Sequence, residues 1–108
     1  MNDEKRKKEL FQEGLRQYKL MDYYESHEVW EELWSDYYLK DKKFIQALIQ
    51  LSVSFVHLSN GNMIGANNLL KKSKEKFIQF SGIHRGIDVS NLLNEIENVE
   101  LEYKKLKN

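Results

Sequence analysis

The sequence contains no cysteine and no proline, only five glycines, and no excess of charge, since 17 basic and 17 acidic side chains cancel. Without cysteine the chain has no disulfide scaffold, no zinc site with sulfur ligands and no thiol nucleophile. The balanced charge removes the general positive field that is expected of a nucleic-acid-binding protein. We therefore expect neither a disulfide-rich protein nor a nucleic-acid binder.

Long hydrophobic runs are also missing. The N-terminus is charged from the third residue and lacks the apolar stretch of about 7–15 residues that a secretory signal needs. The most apolar segment, residues 44–58, is interrupted by glutamine, serine and histidine, and it is shorter than the roughly 20 residues of a membrane span. We expect a soluble cytoplasmic protein that does not bind membranes.

What the sequence does contain is apolar residues at helical spacing along most of its 108 residues. The pattern predicts an all-α, compact, single-domain bundle of about five helices over residues 1–108. The first helix ends near Met21, and the others cover about 23–38, 41–60, 62–82 and 88 onwards. The third is apolar on most of its circumference and is expected to be central. We see no strand pattern.

Local signals mark where these helices begin and end. Asp22 is expected to cap the second helix, with Glu25 as its reciprocal capping-box partner. Gly61 is expected to end the third helix in the left-handed conformation, and Asn62 to cap the fourth. Gly14 lies inside the first helix, where glycine is costly, so we expect another helix to approach closely there.

Residues 81–88, with the sequence SGIHRGID, are expected to be the one real loop, and Asp88 then starts the fifth helix. His84 and Arg85 in this loop could bind an anion beside that helix. Because the Asp88 carboxylate would repel an anion, we expect a plain connection instead.

The second predicted helix carries ionisable groups on its aromatic face. At about 100° per residue, His27 and Glu31 fall on one face, and Glu28 points away from it. The aromatic residues within roughly 60° of His27 are Tyr23, Tyr24, Trp30, Trp34 and Tyr38. Burying a lone carboxylate is costly, so Glu31 is expected to have a partner.

The third predicted helix offers such partners. Gln46, Gln50 and His57 lie within about 40° of one another around its axis and form a polar stripe. If this stripe faces the second helix, these three residues join His27 and Glu31 in one interior polar cluster. Its members can donate to and accept from each other, so a closed hydrogen-bonded network is feasible.

Three interpretations of this cluster compete. The first, which we favour, is a structural network that fixes the register of the helices. The second is a metal or small-ligand site in which His27, Glu31 and His57 form a two-histidine, one-carboxylate set suited to iron or zinc. The third is acid–base catalysis in which Glu31 orients His27. The segment HEVWE lacks the second histidine of the zinc-protease pattern H-E-x-x-H, and no nucleophile or cofactor loop is in view.

Four motifs resemble a known family. They are F-x-x-G-x-x-x-[Y/F] from Phe11, Y-x-x-H-E-x-W-E-x-x-W from Tyr24, I-Q-L at residues 49–51 and G-N-x-x-G-A-x-x-L-L at residues 61–70. Together with GIDVSNLL near the C-terminus, they are similar to the small bacterial and archaeal helical family called domain of unknown function 309, over about residues 10–97. The resemblance implies a compact all-helical domain and no particular activity.

These observations lead us to expect a binding or interaction protein without catalytic activity, whose structural polar network joins the second and third helices. The alternative is a metal- or small-ligand-dependent enzyme using His27, Glu31 and His57. We predict no cofactor, with a divalent metal as the alternative, and expect a protein or small-molecule partner or a homodimer. The candidate site comprises His27, Glu28, Glu31, Gln46, Gln50 and His57 with the motif aromatics Tyr24, Trp30 and Trp34.

Overall fold

Five helices make up most of the computed structural model, which describes residues 3–107. They are α1 (Asp3–Lys19), α2 (Tyr23–Asp36), α3 (Lys42–Ser59), α4 (Met63–Phe77) and α5 (Val89–Lys107). Two short antiparallel strands, β1 (Ile83–His84) and β2 (Ile87–Asp88), connect α4 to α5. The prediction of an all-α bundle of five helices is confirmed. Among these described helices, none combines the length and the apolar character needed to cross a membrane.

The turn between α1 and α2 is fixed by Asp22. As predicted, its side-chain oxygen accepts the backbone N–H of Glu25 at 3.2 Å and so caps α2. The reciprocal half of the predicted capping box is not formed. The backbone N–H of Asp22 instead donates to the Gln17 carbonyl at 2.9 Å, because the chain arrives directly from the end of α1.

The other helix boundaries follow the predicted signals closely. Gly61 adopts a positive φ of 76° after the end of α3, and the Asn62 side chain accepts the N–H of Gly65 at 2.9 Å to cap α4. At the start of α5, Asp88 accepts the backbone N–H of Asn91 at 3.1 Å. Short side chains with oxygen acceptors therefore cap the first turns of α2, α4 and α5.

The second helix is shorter than predicted, since it ends at Asp36 and not at Tyr38. Tyr37 has an extended backbone, and this change of direction allows Leu39 to enter the core, where it is buried. Tyr38 is exposed. It therefore does not belong to the helix face that carries His27.

Residues 81–88 contain a minimal β-hairpin where we predicted an irregular loop. Ile83 pairs with Asp88 and His84 pairs with Ile87. The two turn residues, Arg85 and Gly86, both have positive φ values, of 52° and 80°, which is typical of a two-residue type I′ turn. Strands of two residues are too short to produce an alternating pattern, so the sequence carried no strand signal.

The core forms around α3, which packs between α2 and α4 as predicted. Its buried apolar residues are Phe44, Ile45, Ala47, Leu48, Ile49 and Leu51. The fifth helix closes this core with Tyr103, whose hydroxyl donates to Ser54 Oγ at 3.1 Å. Leu106, which the pattern placed on the apolar face of this helix, is exposed because the helix extends beyond the core there.

Candidate ligand-binding cleft

Trp30, one of the motif aromatics, holds α1 and α2 together. Its ring is fully buried and its Nε1 donates to the Phe11 carbonyl at 3.2 Å. A Cβ atom placed on Gly14 would lie only 2.2 Å from Trp30 Nε1, so the indole occupies the space that only glycine leaves open. Ser26 adds a hydrogen bond from its hydroxyl to the Gly14 carbonyl at 2.9 Å. The predicted close helix approach at Gly14 is confirmed.

A cleft of about 240 Å³ lies where α2, α3 and α4 meet. The helical spacing explains why these side chains share it, because residues three, four and seven positions apart lie on one face. Three of the lining residues, Gln46, Gln50 and Val53, follow this spacing along α3. The complete lining is Glu31, Trp34, Gln46, Ile49, Gln50, Val53 and Leu69.

Two residues of this lining have buried polar atoms without hydrogen-bond partners. They are Trp34 Nε1 and Gln50 Oε1, and the only other such side-chain atom within residues 3–107 is Ser52 Oγ. The indole N–H can only donate, and the amide oxygen can only accept. Each such group costs about 1–3 kcal/mol of stability when it stays unpaired. The Lys42 ammonium lies over the Trp34 ring, 4.4 Å from the ring centroid.

The structure brings together part of the predicted polar cluster. Glu31, Gln46 and Gln50 line the same cleft, as the face arithmetic predicted. The predicted closed network is wrong, however, because Gln50 Oε1 has no partner. The three residues border a shared space, and no hydrogen bond joins their side chains within the described part of the chain.

His27 does not line this cleft. Its Nδ1 lies 3.0 Å from the Tyr24 carbonyl one turn earlier in α2. Since a carbonyl only accepts, Nδ1 is the donor of this hydrogen bond. The imidazole also packs on the Tyr24 ring, with 5.4 Å between the centroids. A local bond within α2 therefore orients His27.

His57 belongs to the turn between α3 and α4. Asn62 Nδ2 donates to His57 Nδ1 at 3.3 Å while the Asn62 oxygen caps α4. A Cβ atom on Gly65 would lie 3.0 Å from His57 Cδ2, so glycine leaves room for this arrangement. The imidazole thus supports the turn and is not among the cleft residues.

The proposed metal ligands His27, Glu31 and His57 are not assembled into one site. Over residues 3–107, no three or more His, Asp or Glu side chains form a group that could hold a metal ion. The reason is that each residue sits in different surroundings: Tyr24 for His27, the cleft for Glu31, and Asn62 for His57. The predicted site of two histidines and one carboxylate is therefore not formed by these three residues.

Tyr24 and Glu28 lie on the outside of α2. Tyr24 is 54% exposed, and the neighbouring Glu28 carboxylate raises the pKa of its hydroxyl. Tyr24 borders a larger groove of about 780 Å³ between the α1–α2 turn and the end of α3. Within the described chain, none of the unpaired buried polar atoms belongs to the lining of this groove.

A second polar cluster, which no sequence pattern indicated, lies at the start of α3. Asp41 accepts hydrogen bonds from Arg85 Nη2 at 2.9 Å and from His84 Nε2 at 2.8 Å. Burial alone would raise the pKa of Asp41, but the hydrogen bonds from Arg85 and His84 outweigh it and lower the pKa to about 2. The Arg85 guanidinium and the His84 imidazole are thus both bound by a carboxylate within the chain.

The fold and the cleft together define a small helical domain with a partly polar cavity where α2, α3 and α4 meet. A family model described as domain of unknown function (DUF309) matches residues 11–69. This is more than half of the 108 residues, and the chain belongs to that family. The match includes every residue of the cleft lining, whereas the hairpin and α5 lie outside it. No curated protein and no solved structure matches the chain.

Proposed function

We propose that this domain acts by binding a small molecule in the α2–α3–α4 cleft and does not itself catalyse a reaction. The observation that carries this proposal is the pair of unpartnered polar atoms, Trp34 Nε1 and Gln50 Oε1, in residues that line the same cavity. Buried donors and acceptors are normally paired within a folded protein. A ligand that enters this cleft would supply the missing partners once the Trp34 and Gln50 side chains rotate toward it.

The energetic cost of this arrangement supports the proposal. Two unpaired groups together cost about 2–6 kcal/mol, which is a large share of the stability of a domain of this size. Natural proteins retain such costs mainly where function requires them, because stability and function compete at binding sites. Leucine or methionine at position 50 would remove the cost if packing were the only requirement.

The chemistry of the lining favours binding over catalysis. Indole and carboxamide groups do not ionise near neutral pH, and Glu31 is the one titratable side chain of the lining. His27, the candidate base, is engaged by its own helix outside the cleft. The cavity volume of about 240 Å³ is below the roughly 300–1,000 Å³ of pockets for drug-sized ligands. It therefore fits a ligand the size of a small metabolite.

Nuclear magnetic resonance tests this proposal directly, because the chain has two tryptophans in different environments. The indole N–H of Trp30 is bonded to a carbonyl, whereas that of Trp34 is free. We would screen a library of small polar molecules against the ¹⁵N-labelled protein. Ligands are expected to shift the Trp34 indole signal and the amides of residues 46–53, with little effect on the Trp30 signal.

A matched pair of variants localises the binding. Val53→Phe fills the α2–α3–α4 cleft and is expected to abolish the shifts, while Val56→Phe places the same ring in the larger groove and is expected to preserve them. The proposal is overturned if no molecule shifts the Trp34 signal. It is equally overturned if the shifts survive Val53→Phe and disappear in Val56→Phe.

A further inference from the structure

The α1–α2 and α3–α4 turns have the same backbone structure. The N–H of Asp22 donates to a carbonyl five residues earlier at 2.9 Å, and the N–H of Asn62 does the same at 2.8 Å. Each of these residues then caps the following helix with its side chain. The residue before the cap is Met21 in one turn and Gly61 in the other, with φ values of 65° and 76°. Both turns therefore place a left-handed residue at the corresponding position.

Methionine is an unfavourable residue for this position. The left-handed conformation strains a residue that has a Cβ atom, whereas glycine adopts it freely. Packing inside the domain does not compensate for this strain, because the Met21 side chain is 72% exposed and that of Leu20 before it is 64% exposed. Arg85, the other non-glycine residue with a positive φ within residues 3–107, is held by Asp41. Met21 has no such contact, so its side chain points to an interaction outside the single chain.

Met21 borders the groove of about 780 Å³ between the α1–α2 turn and the end of α3. The apolar residues of its lining are Met21, Tyr23, Tyr24, Phe55, Val56 and Leu58. Three exposed carboxylates follow along the start of α2, at Asp22, Glu25 and Glu28. None of the three is in a salt bridge within the described part of the chain. The groove therefore suits an apolar side chain that is accompanied by positive charge.

The end of α5 carries this combination on its outer face. Leu101 is 56% exposed, and Lys104 and Lys105, three and four positions later, are exposed on the same side of the helix. Lys105 is bound to Glu102 at 3.3 Å. Lys104 makes no salt bridge with any residue that the structure describes. An exposed leucine is thus followed, one turn later, by an unpaired cation.

The groove and the end of α5 lie at the same end of the bundle. Tyr103 reaches Ser54, which directly precedes the groove residue Phe55. No described residue of α5 lines the groove of its own chain, however. The two surfaces are therefore neighbours that a second copy of the chain can bring into contact.

We infer that the domain forms a two-fold symmetric dimer in which the end of α5 of each copy docks on the groove of the other. Leu101 packs against Met21, and Lys104 faces the carboxylates at the start of α2. The two-fold axis makes this contact twice and leaves no unmatched surface that would extend the assembly further. The dimer is independent of the proposed function, since the groove and the α2–α3–α4 cleft share no lining residue.

Analytical ultracentrifugation of the full chain tests the dimer, over a concentration series from about 1 μM to about 1 mM. The wild type is expected to change from monomer to dimer within this series. Added salt is expected to shift the change to higher protein concentration, because salt screens attraction between exposed charges.

Met21→Gly separates the interaction from the fold. It gives the α1–α2 turn the glycine that the α3–α4 turn already has, so relief of strain offsets the greater freedom of glycine in the unfolded chain. The melting temperature of the monomer is expected to stay the same or rise, while the dimer dissociation constant rises at least about ten-fold. Ile83→Thr, at a hairpin position that is 74% exposed, is the matched control and is expected to dimerise as the wild type does.

Charge reversal tests the orientation of the dimer. Lys104→Glu and Glu25→Lys each place like charges at both symmetric contacts, and each is expected to weaken the dimer about five-fold. Combined in one chain, the two substitutions restore opposite charges across the interface. The double variant is therefore expected to dimerise more tightly than either single variant.

Three results would overturn the inference. A monomer over the whole concentration series would show that a second copy does not occupy the groove, which would leave it to a segment of another protein. A dimer that Met21→Gly and Lys104→Glu weaken no more than Ile83→Thr does would use a different surface. A double variant that dimerises more weakly than both single variants would exclude the contact between the end of α5 and the start of α2.

Discussion

At the scale of single residues, small side chains let the helices of this domain approach closely. Four serines, at positions 26, 52, 54 and 73, are fully buried. Three of them donate to backbone carbonyls, and Ser54 does so across helices, to Ala66 at 2.6 Å. A serine takes little space and satisfies its own hydroxyl on the backbone. Close contact between helices is therefore achieved without unpaired polar groups at these three positions.

Gly14→Ala tests the tightest of these contacts. Helix propensity alone predicts a gain of about 1 kcal/mol for alanine in a helix interior. The added Cβ would overlap the Trp30 ring, which is fully buried and is held by its hydrogen bond to the Phe11 carbonyl. We expect a net loss of about 1–3 kcal/mol or more, measured by urea denaturation.

The exposed residue Gln12 on the same helix provides the control. Gln12→Ala is expected to change the free energy of unfolding by less than about 0.5 kcal/mol. A Gly14→Ala protein that is as stable as Gln12→Ala or more stable would contradict the steric explanation.

At the scale of elements, the hairpin is fastened to the start of α3 by ionic hydrogen bonds. Asp41 occupies the N-cap position of α3, yet its side chain makes no capping bond and binds Arg85 and His84. His84 also packs between the rings of Phe44 and Phe80. Because α5 begins directly after β2, these contacts determine where α5 starts.

This junction predicts a loss of stability in acid. The folded-state pKa of Asp41 is about 2, below its ordinary value of 3.8. A lowered pKa means that the ionised carboxylate stabilises the fold fully above pH 3.8 and that this contribution is lost as the pH falls toward 2. The contribution is roughly 2 kcal/mol. Urea denaturation at a series of pH values between 2 and 5 is expected to show it.

Asp41→Asn is the informative variant for this measurement, since it keeps the shape and removes the charge. The variant is expected to lose stability at pH 7 and to show a shallower decline between pH 4 and pH 2 than the wild type. Asp36→Asn, at the exposed end of α2, is the matched control. A decline of unchanged steepness in Asp41→Asn would assign the acid sensitivity to other carboxylates.

At the scale of the whole molecule, α5 completes the core, although it lies outside residues 11–69, the segment that matches the family model. Tyr103 is buried, and its hydroxyl reaches Ser54 on α3, 49 positions earlier in the chain. Ser54 in turn donates to Ala66 on α4. One hydrogen-bonded chain thus connects α5, α3 and α4.

Tyr103→Ala is expected to reduce the stability of the whole domain by about 3–5 kcal/mol, since it leaves a large cavity in the core. The loss would be measured by thermal and urea denaturation. Leu106→Ala removes a large side chain from the same helix at a position that is 62% exposed. An equal loss of stability in the two variants would contradict the conclusion that Tyr103 anchors α5 in the core.

The candidate site was predicted in part. Helical rotation alone placed Glu31, Gln46 and Gln50 in one cleft, because the position of a residue on a helix face depends only on its spacing. The same rotation argument failed for His27 and His57. The His27 side chain is bound to the backbone of α2, and the His57 side chain is bound to Asn62. Such contacts depend on side-chain rotamers and on the turn that follows α3, and residue spacing contains no information about either.

By itself, the sequence determined the number of helices, their order, most of their boundaries and the central place of α3, because these follow from local signals: apolar period, capping side chains and glycine. The tertiary structure decided what those signals do not encode. It placed Arg85 on Asp41 and Tyr103 on Ser54, and it left Trp34 and Gln50 beside a cleft without partners. Contacts between residues far apart in the chain depend on how complete helices pack, and that packing is a property of the whole fold.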